Sequence, residues 1–294
     1  MKDAPIPYME RTRDYYAALG YGEPYRWAHF AEVPFHGLKK PLAQCRVALV
    51  TTAAPRLSGE PAPDGTYRAA AKFPSVYSES TARDPALRID HVAIDFTHTT
   101  GADLGAFFPL AALRRTSAAG RIGEIAARFH GVPTNRSQRH TLAVDAPDLL
   151  ARLQADAADV AVLVPNCPVC HQSLALMARH LEENGIATAI MGAAKDVVEH
   201  VGVPRFLFSD LPLGNAAGRP GDAASQDLTL GLALDLLEQA TAARTTWHSP
   251  LSWSDDAAWK CHYGRVEGLT PEEIARRRAE FDAGKEIAKA MRST

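Results

Sequence analysis

The apolar positions of this chain form two kinds of segment, short continuous runs and longer stretches with helical spacing. Residues 46–50 and 160–164 are valine-rich runs, as expected of strands buried on both faces of a parallel sheet, and 89–96 and 186–191 are two further candidate strands. Five segments have apolar residues every three to four positions and predict helices: 102–115, 122–129, 146–155, 171–184 and 228–243. This alternation of strands and helices favours an α/β fold with a parallel sheet.

The two valine-rich runs each lead into a proline-containing loop, at residues 51–55 and 165–168. This similarity predicts two similar parallel-sheet α/β halves, with the active site in the cleft between them. The first half is 1–150 with an N-terminal extension. The second is 151–294, which carries a Cys-x-x-Cys motif and a C-terminal helix.

Two more segments have distinct signatures. Thr270, Pro271 and Glu273 form a capping-box pattern that marks the start of the last helix. Residues 54–87 are rich in Pro, Ser, Gly and Ala, which predicts a long irregular loop and a candidate lid.

Composition narrows the class of protein. The 294 residues are 46% hydrophobic and 22% charged, with a formal charge of −2, so there is no basic surface for nucleic acid. No stretch approaches the roughly 20 apolar residues that span a bilayer, and residues 1–7 lack a signal core, so we expect a cytoplasmic protein without a membrane partner. Four cysteines do not make a disulfide framework. We expect a homo-oligomer that acts on a small molecule.

The Cys167-Pro168-Val169-Cys170 motif carries the strongest chemical signal. Cys167 follows a predicted strand and precedes a predicted helix, where backbone N–H groups and the helix dipole favour negative charge. A thiol in such a place ionises more readily, and the thiolate is the nucleophile. We therefore predict a nucleophilic or redox thiol.

A zinc half-site is an alternative for the cysteine pair, with His171 or His180 as additional ligands. A purely structural pair and a thioredoxin-like domain are also compatible with the motif. Together with His171, the motif matches the c-type haem attachment pattern as well. We expect neither a metal nor a cofactor.

Several polar residues are placed to join Cys167 at the carboxyl ends of the strands, where parallel sheets bind ligands. Thr51, Thr52 and Asn166 follow the two valine-rich runs and are candidate substrate-binding residues. His98 follows the 89–96 strand and is a candidate general acid, although a lone loop histidine is often just exposed.

His91 and Asp95 lie four apart on that predicted strand and therefore on one face. They suit either a base with an orienting carboxylate, which would make His91 catalytic and Asp95 substrate-proximal, or a buried hydrogen-bonded pair.

The 212–222 segment is the second unusual stretch, because three glycines surround polar residues. Gly214 and Asn215 would let the backbone approach a ligand, and Arg219 would hold a substrate carboxylate. The stretch matches neither the P-loop nor the dinucleotide-binding pattern, and the alternative is a tight irregular turn.

Four segments together resemble the selenoprotein B family, which serves the glycine, sarcosine, betaine and D-proline reductases: 46–54, 87–123, 162–185 and 204–226. In that family a selenocysteine lies three residues before a cysteine. By this resemblance Cys167 occupies the selenocysteine position and Cys170 the partner position. The resemblance implies the family's fold and nucleophile position, with a separate subunit that supplies a pyruvoyl or carrier function.

A thiol is a weaker reductant and leaving group than a selenol, which changes the expected reaction. We therefore expect Cys167 to attack a thiocarbonyl carbon of a thiohydantoin-like compound and release sulfide, with His91 or His98 activating water. One alternative is reductive carbon–nitrogen cleavage by a Cys167/Cys170 thiol–disulfide cycle. Another is a zinc- or ligand-binding subunit of a larger complex.

Overall fold

A computed structural model describes residues 4–56, 58–59, 73–89, 93–134 and 137–290. Strands in these ranges form one eight-stranded sheet, in the order β10-β9-β8-β7-β1-β6-β3 with β5 beside β1, and a separate β2–β4 ribbon. The strands are β1 (Arg46–Thr51), β2 (Ala54–Pro55), β3 (Tyr77–Ser80), β4 (Leu87–Arg88), β5 (Glu124–Ile125), β6 (Arg128–Gly131), β7 (Val160–Val164), β8 (Ala187–Gly192), β9 (Arg205–Phe208) and β10 (Thr245–His248).

Helices cover the sheet. They are α1 (Tyr8–Ala18), α2 (Leu110–Ala118), α3 (Gln138–His140), α4 (Ala146–Ala155), α5 (Pro168–Glu183), α6 (Lys195–Val201), α7 (Ala223–Gln239) and α8 (Pro271–Ala290). A π-helical turn at Thr141–Asp145 joins α3 to α4. In the part of the chain that the structure describes, no helix combines the length and apolar character needed to cross a bilayer.

The strands of the large sheet run parallel except where β3 meets β6, and the central ones are buried on both faces. On β1, Val47 and Leu49 pack into the core that also contains residues of α2 and α7, whereas Ala48 and Val50 pack into the core shared with α4 and α5. This two-sided burial explains the continuous apolar runs. The α/β class predicted from the sequence is confirmed.

The winding of the sheet reverses between β1 and β7, which are neighbours at its centre. Beyond β1 lie β6 and β3, whereas from β7 the chain proceeds the other way to β8, β9 and β10. Each predicted half of the chain thus supplies one side of a shared sheet, while the division at 150/151 into two domains stays a prediction. Such a reversal opens a crevice beyond the carboxyl ends of the strands.

Most predicted elements are confirmed within a few residues, including the capping box, in which Thr270 and Glu273 exchange hydrogen bonds. The helix predicted over 122–129 is wrong. Ala126 N–H donates to the Val47 carbonyl at 2.9 Å, because this segment continues the sheet as β5 and β6. In so short a segment, the spacing of apolar residues does not distinguish a helix from a strand.

Three further predictions need correction. The helix predicted over 102–115 is interrupted before Pro109, so a 3₁₀ turn at Leu104–Ala106 precedes α2. The 54–87 segment is not wholly irregular, since it contains β2, β3 and the start of β4, with residues 57 and 60–72 outside the described ranges. The 89–96 segment is not a strand at Asp95, which lies in a turn, and His91 is outside the described residues.

Candidate active site

Cys167 is the N-cap residue of α5, in the extended conformation between β7 and the helix. The backbone N–H of Cys170 donates to its sulfur at 3.3 Å, and Pro168 occupies the first turn. Cys167 is 5% exposed and Cys170 is fully buried, with its sulfur 3.8 Å from the Thr134 hydroxyl. An N–H donor and the positive end of a 16-residue helix both stabilise a thiolate at this position.

The ends of β1 and β7 are tied together beside Cys167. Both the backbone N–H and the side-chain amide of Asn166 donate to the Thr52 hydroxyl, at 3.1 and 3.3 Å, and the Thr51 hydroxyl accepts from Ala53 N–H at 3.1 Å. Asn166 is completely buried, yet its side-chain oxygen has no hydrogen-bond partner among the described residues. A buried acceptor without a partner is costly, so this oxygen is a candidate contact for a substrate N–H.

His171 supports the turn formed by residues 167–170, and both of its ring nitrogens are engaged in hydrogen bonds rather than available to a metal. Its Nδ1 donates to the Cys167 carbonyl at 2.8 Å, and Nε2 accepts from the N–H groups of Ala193 and Ala194 at 2.9 and 3.1 Å. His180 lies ten residues beyond Cys170 on α5, about 15 Å along the axis. Neither histidine is placed to complete a zinc site or a haem ligation with the cysteines.

Acid should destabilise the fold through His171. Burial lowers the pKa of His171 from 6.5 to about 4, so the unfolded chain takes up a proton in a range where the folded chain does not. The contribution of neutral His171 to the free energy of unfolding is therefore complete above pH 6.5 and is lost as the pH falls toward 4. Between about pH 7.5 and pH 5 the loss is about 2 kcal/mol.

Urea unfolding of the wild type and of His171→Gln at the two pH values measures this contribution. The variant should lose about 2 kcal/mol less on acidification than the wild type. His130, whose pKa burial also lowers to about 4, titrates in both proteins and cancels from the comparison. Equal pH dependence of the two proteins would show that His171 is not held neutral.

Asp95 and His98 form a buried pair on the turn that follows β4. His98 Nδ1 lies 2.9 and 3.0 Å from the two Asp95 oxygens, and Asp95 also accepts from the N–H groups of Thr97 and His98. The Asp95 side chain is 2% exposed and that of His98 is 15% exposed. His98 is thus not simply an exposed loop histidine. A third residue, His262, places its Nδ1 3.3 Å from the Nε2 of His98.

Tyr263 contacts the segment that leads into the Asp95 turn. Its hydroxyl donates to the Ala93 carbonyl at 3.1 Å. Burial raises the pKa of Tyr263 well above its usual value. Sequence reasoning missed Tyr263 and His262, for which the sequence shows only an aromatic cluster near Trp259.

The 212–215 turn braces the Asp95 turn. The Asn215 side-chain amide donates to the Thr99 hydroxyl at 2.6 Å, and that hydroxyl donates to the Leu213 carbonyl at 2.9 Å. Gly214 has φ +100°, and a Cβ there would lie 2.6 Å from Thr99 Cγ2. In the structure, Gly214 and Asn215 thus make contacts within the protein, and their role toward a substrate stays a prediction.

Gly214→Ala should cost about 2–3 kcal/mol of unfolding free energy, because it adds a steric clash to an unfavourable φ. Gly221→Ala is the matched control, since Gly221 has φ +71° and a Cβ added there would meet nothing within 4 Å. It should cost only about 1 kcal/mol. Equal losses in urea unfolding would mean that Thr99 can move away from Gly214.

Arg219 lies three residues before Asp222, the N-cap of α7, and most of its donors are engaged. Its Nε and Nη2 donate to the Ser252 carbonyl at 2.9 and 2.6 Å, and Nη1 is 3.5 Å from Asp222. A substrate carboxylate at Arg219 would have to compete with these partners. Arg219 instead anchors the segment that carries Trp253, whose ring packs edge-on against His98.

A cavity of about 950 Å³ opens beside the Asp95 turn. Asp95, His262 and Tyr263 line one wall, and α1 and α8 form the others. Across the described ranges, no group of three or more His, Cys, Asp or Glu side chains is arranged to hold a metal.

Comparison with known proteins finds one informative relative. The D-proline reductase subunit gamma of Acetoanaerobium sticklandii is 26% identical over 188 residues, which cover 64% of this chain and 76% of that protein. The similarity supports a relationship to the proline/glycine reductase family. No protein-family model matches the chain, and no solved structure matches it.

This relationship suggests a reductase-type, enzyme-related role, in agreement with the reductive alternative. The relative is a reductase subunit, so it lends no support to the thiohydantoin desulfhydrase that is the main expectation from the sequence. The comparison thus supports the resemblance to the reductase family that was found in the sequence.

Proposed function

We propose that this chain is by itself a thiol-dependent reductase that cleaves a carbon–nitrogen bond in a small amino-acid-derived substrate. The observation that carries the proposal is the position of Cys167, which caps α5 at the β1/β7 reversal with the Cys170 N–H on its sulfur. The 26% identical relative is a D-proline reductase subunit, which supports a reductase acting on an amino acid.

In the first step, the Cys167 thiolate attacks the carbon attached to nitrogen. A carbon–sulfur bond forms, the carbon–nitrogen bond breaks, and the nitrogen takes the bonding pair together with one proton from an acid. Asp95 and His98 are the acid–base pair that the turn after β4 supplies.

In the second step, the Cys170 thiolate attacks the Cys167 sulfur. A disulfide forms, the carbon–sulfur bond breaks, and the carbon takes the bonding pair and a second proton. Residues three apart at a helix end have Cβ atoms about 5–6 Å apart, so only a small shift brings them to disulfide geometry. An external dithiol then reduces the pair, which balances the two electrons consumed.

Substrate recognition would use the carboxyl ends of β1 and β7. The partnerless side-chain oxygen of Asn166 would accept the substrate's N–H, and Thr51 and Thr52 would border the reacting carbon. His91 remains a predicted catalytic residue and lies outside the described residues. The small-molecule substrate and the homo-oligomer also stay predictions.

D-proline with dithiothreitol is the first substrate to test, because it is the compound in the relative's name. The proposal predicts ring opening to an unbranched amino acid with one dithiol consumed per product. Cys170→Ser should accumulate substrate bound to Cys167, detected as a mass increase of the intact protein. Turnover that needs no dithiol, or release of sulfide from thiohydantoins at a comparable rate, would contradict the proposal.

A further inference from the structure

His262 extends the Asp95–His98 pair into a row of three groups. A carboxylate only accepts hydrogen bonds, so the 2.9 and 3.0 Å contacts place a proton on His98 Nδ1. In the form with neutral His98, Nε2 carries a lone pair, and the 3.3 Å contact then makes Nδ1 of His262 the donor to it. The network leaves Nε2 of His262 as the outer terminus.

The row runs from buried to exposed. Asp95 is 2% exposed, whereas His262 is a surface residue that lines the 950 Å³ cavity. The rings of His98 and His262 lie 5.2 Å apart with 18° between their planes, and the edges of Trp253 and Trp259 flank His98. The aromatic walls fix the orientation of His98 toward both neighbours.

We propose that Asp95, His98 and His262 form a single proton relay, with Nε2 of His262 as its solvent end and Asp95 as its inner end. A proton that binds His262 Nε2 releases the Nδ1 proton to His98 Nε2, and His98 in turn releases its Nδ1 proton to Asp95. No electrons move in this transfer.

The role of the relay in turnover rests on the proposed function. Reductive cleavage consumes two protons per substrate, and in the proposed mechanism the Asp95–His98 pair gives the first of them to the leaving nitrogen. The relay would therefore resupply that pair with protons from solvent. His262 is a positioning and proton-exchanging residue in this scheme, because its contact is with His98.

Charged groups on the other cavity walls surround the outer end of the relay. They are Arg11 on α1, Arg265 and Glu267 after the histidine, and Glu273, Arg277 and the Arg276–Glu280 pair on α8. Arg11 is held by the carbonyls of Lys260 and Tyr263 at 2.6 and 2.7 Å.

Nitrogen-15 NMR of the histidines in the full chain tests the relay without any substrate. His98 and His262 should each carry the ring proton on Nδ1 when neutral. Asp95→Asn should convert His98 to the Nε2–H tautomer, and His262 should follow to the same tautomer because its Nδ1 then accepts a hydrogen bond. His248 on β10 is the internal control and should keep its tautomer. Unchanged tautomers of His98 and His262 in Asp95→Asn would overturn the relay.

Turnover of His262→Ala tests the proton-supply role. The rate should fall about 10-fold or more and recover with added imidazole, which a lost packing contact would not do. His248→Ala should keep the wild-type rate. An unchanged His262→Ala rate, or a loss that imidazole does not rescue, would overturn this role. The predicted histidine tautomers in a wild type without any turnover would instead count against the proposed reductase.

Discussion

Cys167→Ser should abolish thiol-dependent turnover, by a factor on the order of 10³ or more, without weakening the fold. The serine hydroxyl is a poor nucleophile beside the thiolate that it replaces. As an N-cap residue, however, serine is among the most favourable, so it can accept the Cys170 N–H hydrogen bond in place of sulfur. Dithiol consumption with D-proline and urea unfolding measure the two effects separately.

Cys261→Ser is the matched control for this variant. Cys261 is exposed in the 3₁₀ turn Ala258–Cys261 and should tolerate serine with no change in rate. If Cys167→Ser unfolds the protein while Cys261→Ser does not, the motif is structural. Retention of turnover in Cys167→Ser would remove the nucleophile from the mechanism.

Arg205→Met should lower the free energy of unfolding by about 3–5 kcal/mol, the largest stability effect that we expect. The Arg205 and Glu182 side chains are both fully buried and 2.8 Å apart. Glu182 also accepts from the N–H and hydroxyl of Thr188, at 2.6 and 2.9 Å, and from the N–H of His36. Burial raises the pKa of Glu182 to about 6 against the opposing effect of Arg205. Removal of the arginine leaves a buried carboxylate without its cation.

The double variant Glu182→Gln/Arg205→Met separates the charge effect from packing. Glutamine keeps one oxygen, which can accept from the Thr188 donors, and removes the charge, but its NH2 group then faces the His36 N–H. The double variant should therefore regain about 1 kcal/mol relative to Arg205→Met alone. Urea unfolding at neutral pH measures four proteins: the wild type, Glu182→Gln, Arg205→Met and the double variant. Additive losses from the two single changes would mean that the ion pair contributes no coupling.

The sequence is sufficient to predict the centre of the sheet and the position of Cys167 between a strand and a helix. The valine-rich runs at β1 and β7 are buried on both faces, and a proline directly after Cys167 marks the start of α5. Each of these signals lies within a few neighbouring residues, so it can be recognised in a single sequence. The two-residue β5 and four-residue β6 are too short to show strand alternation, which is why the apolar spacing there predicts a helix instead.

The rest of the candidate site depends on contacts distant in sequence. His98 and His262 are 164 positions apart, and Asn215 meets Thr99 across 116 positions. No periodicity or spacing encodes such pairs, so residue type alone is the basis for expecting Arg219 and Gly214 to bind a ligand. The structure shows that Arg219 holds Ser252, which only the tertiary fold could reveal.

The most direct measurement of the central claim is mass spectrometry of the fully reduced chain after one addition of D-proline without external dithiol. We predict one equivalent of ring-opened product per chain and, in the same sample, a disulfide that joins Cys167 to Cys170. Product formation beyond one equivalent while both thiols stay reduced would contradict the claim that this cysteine pair supplies the electrons.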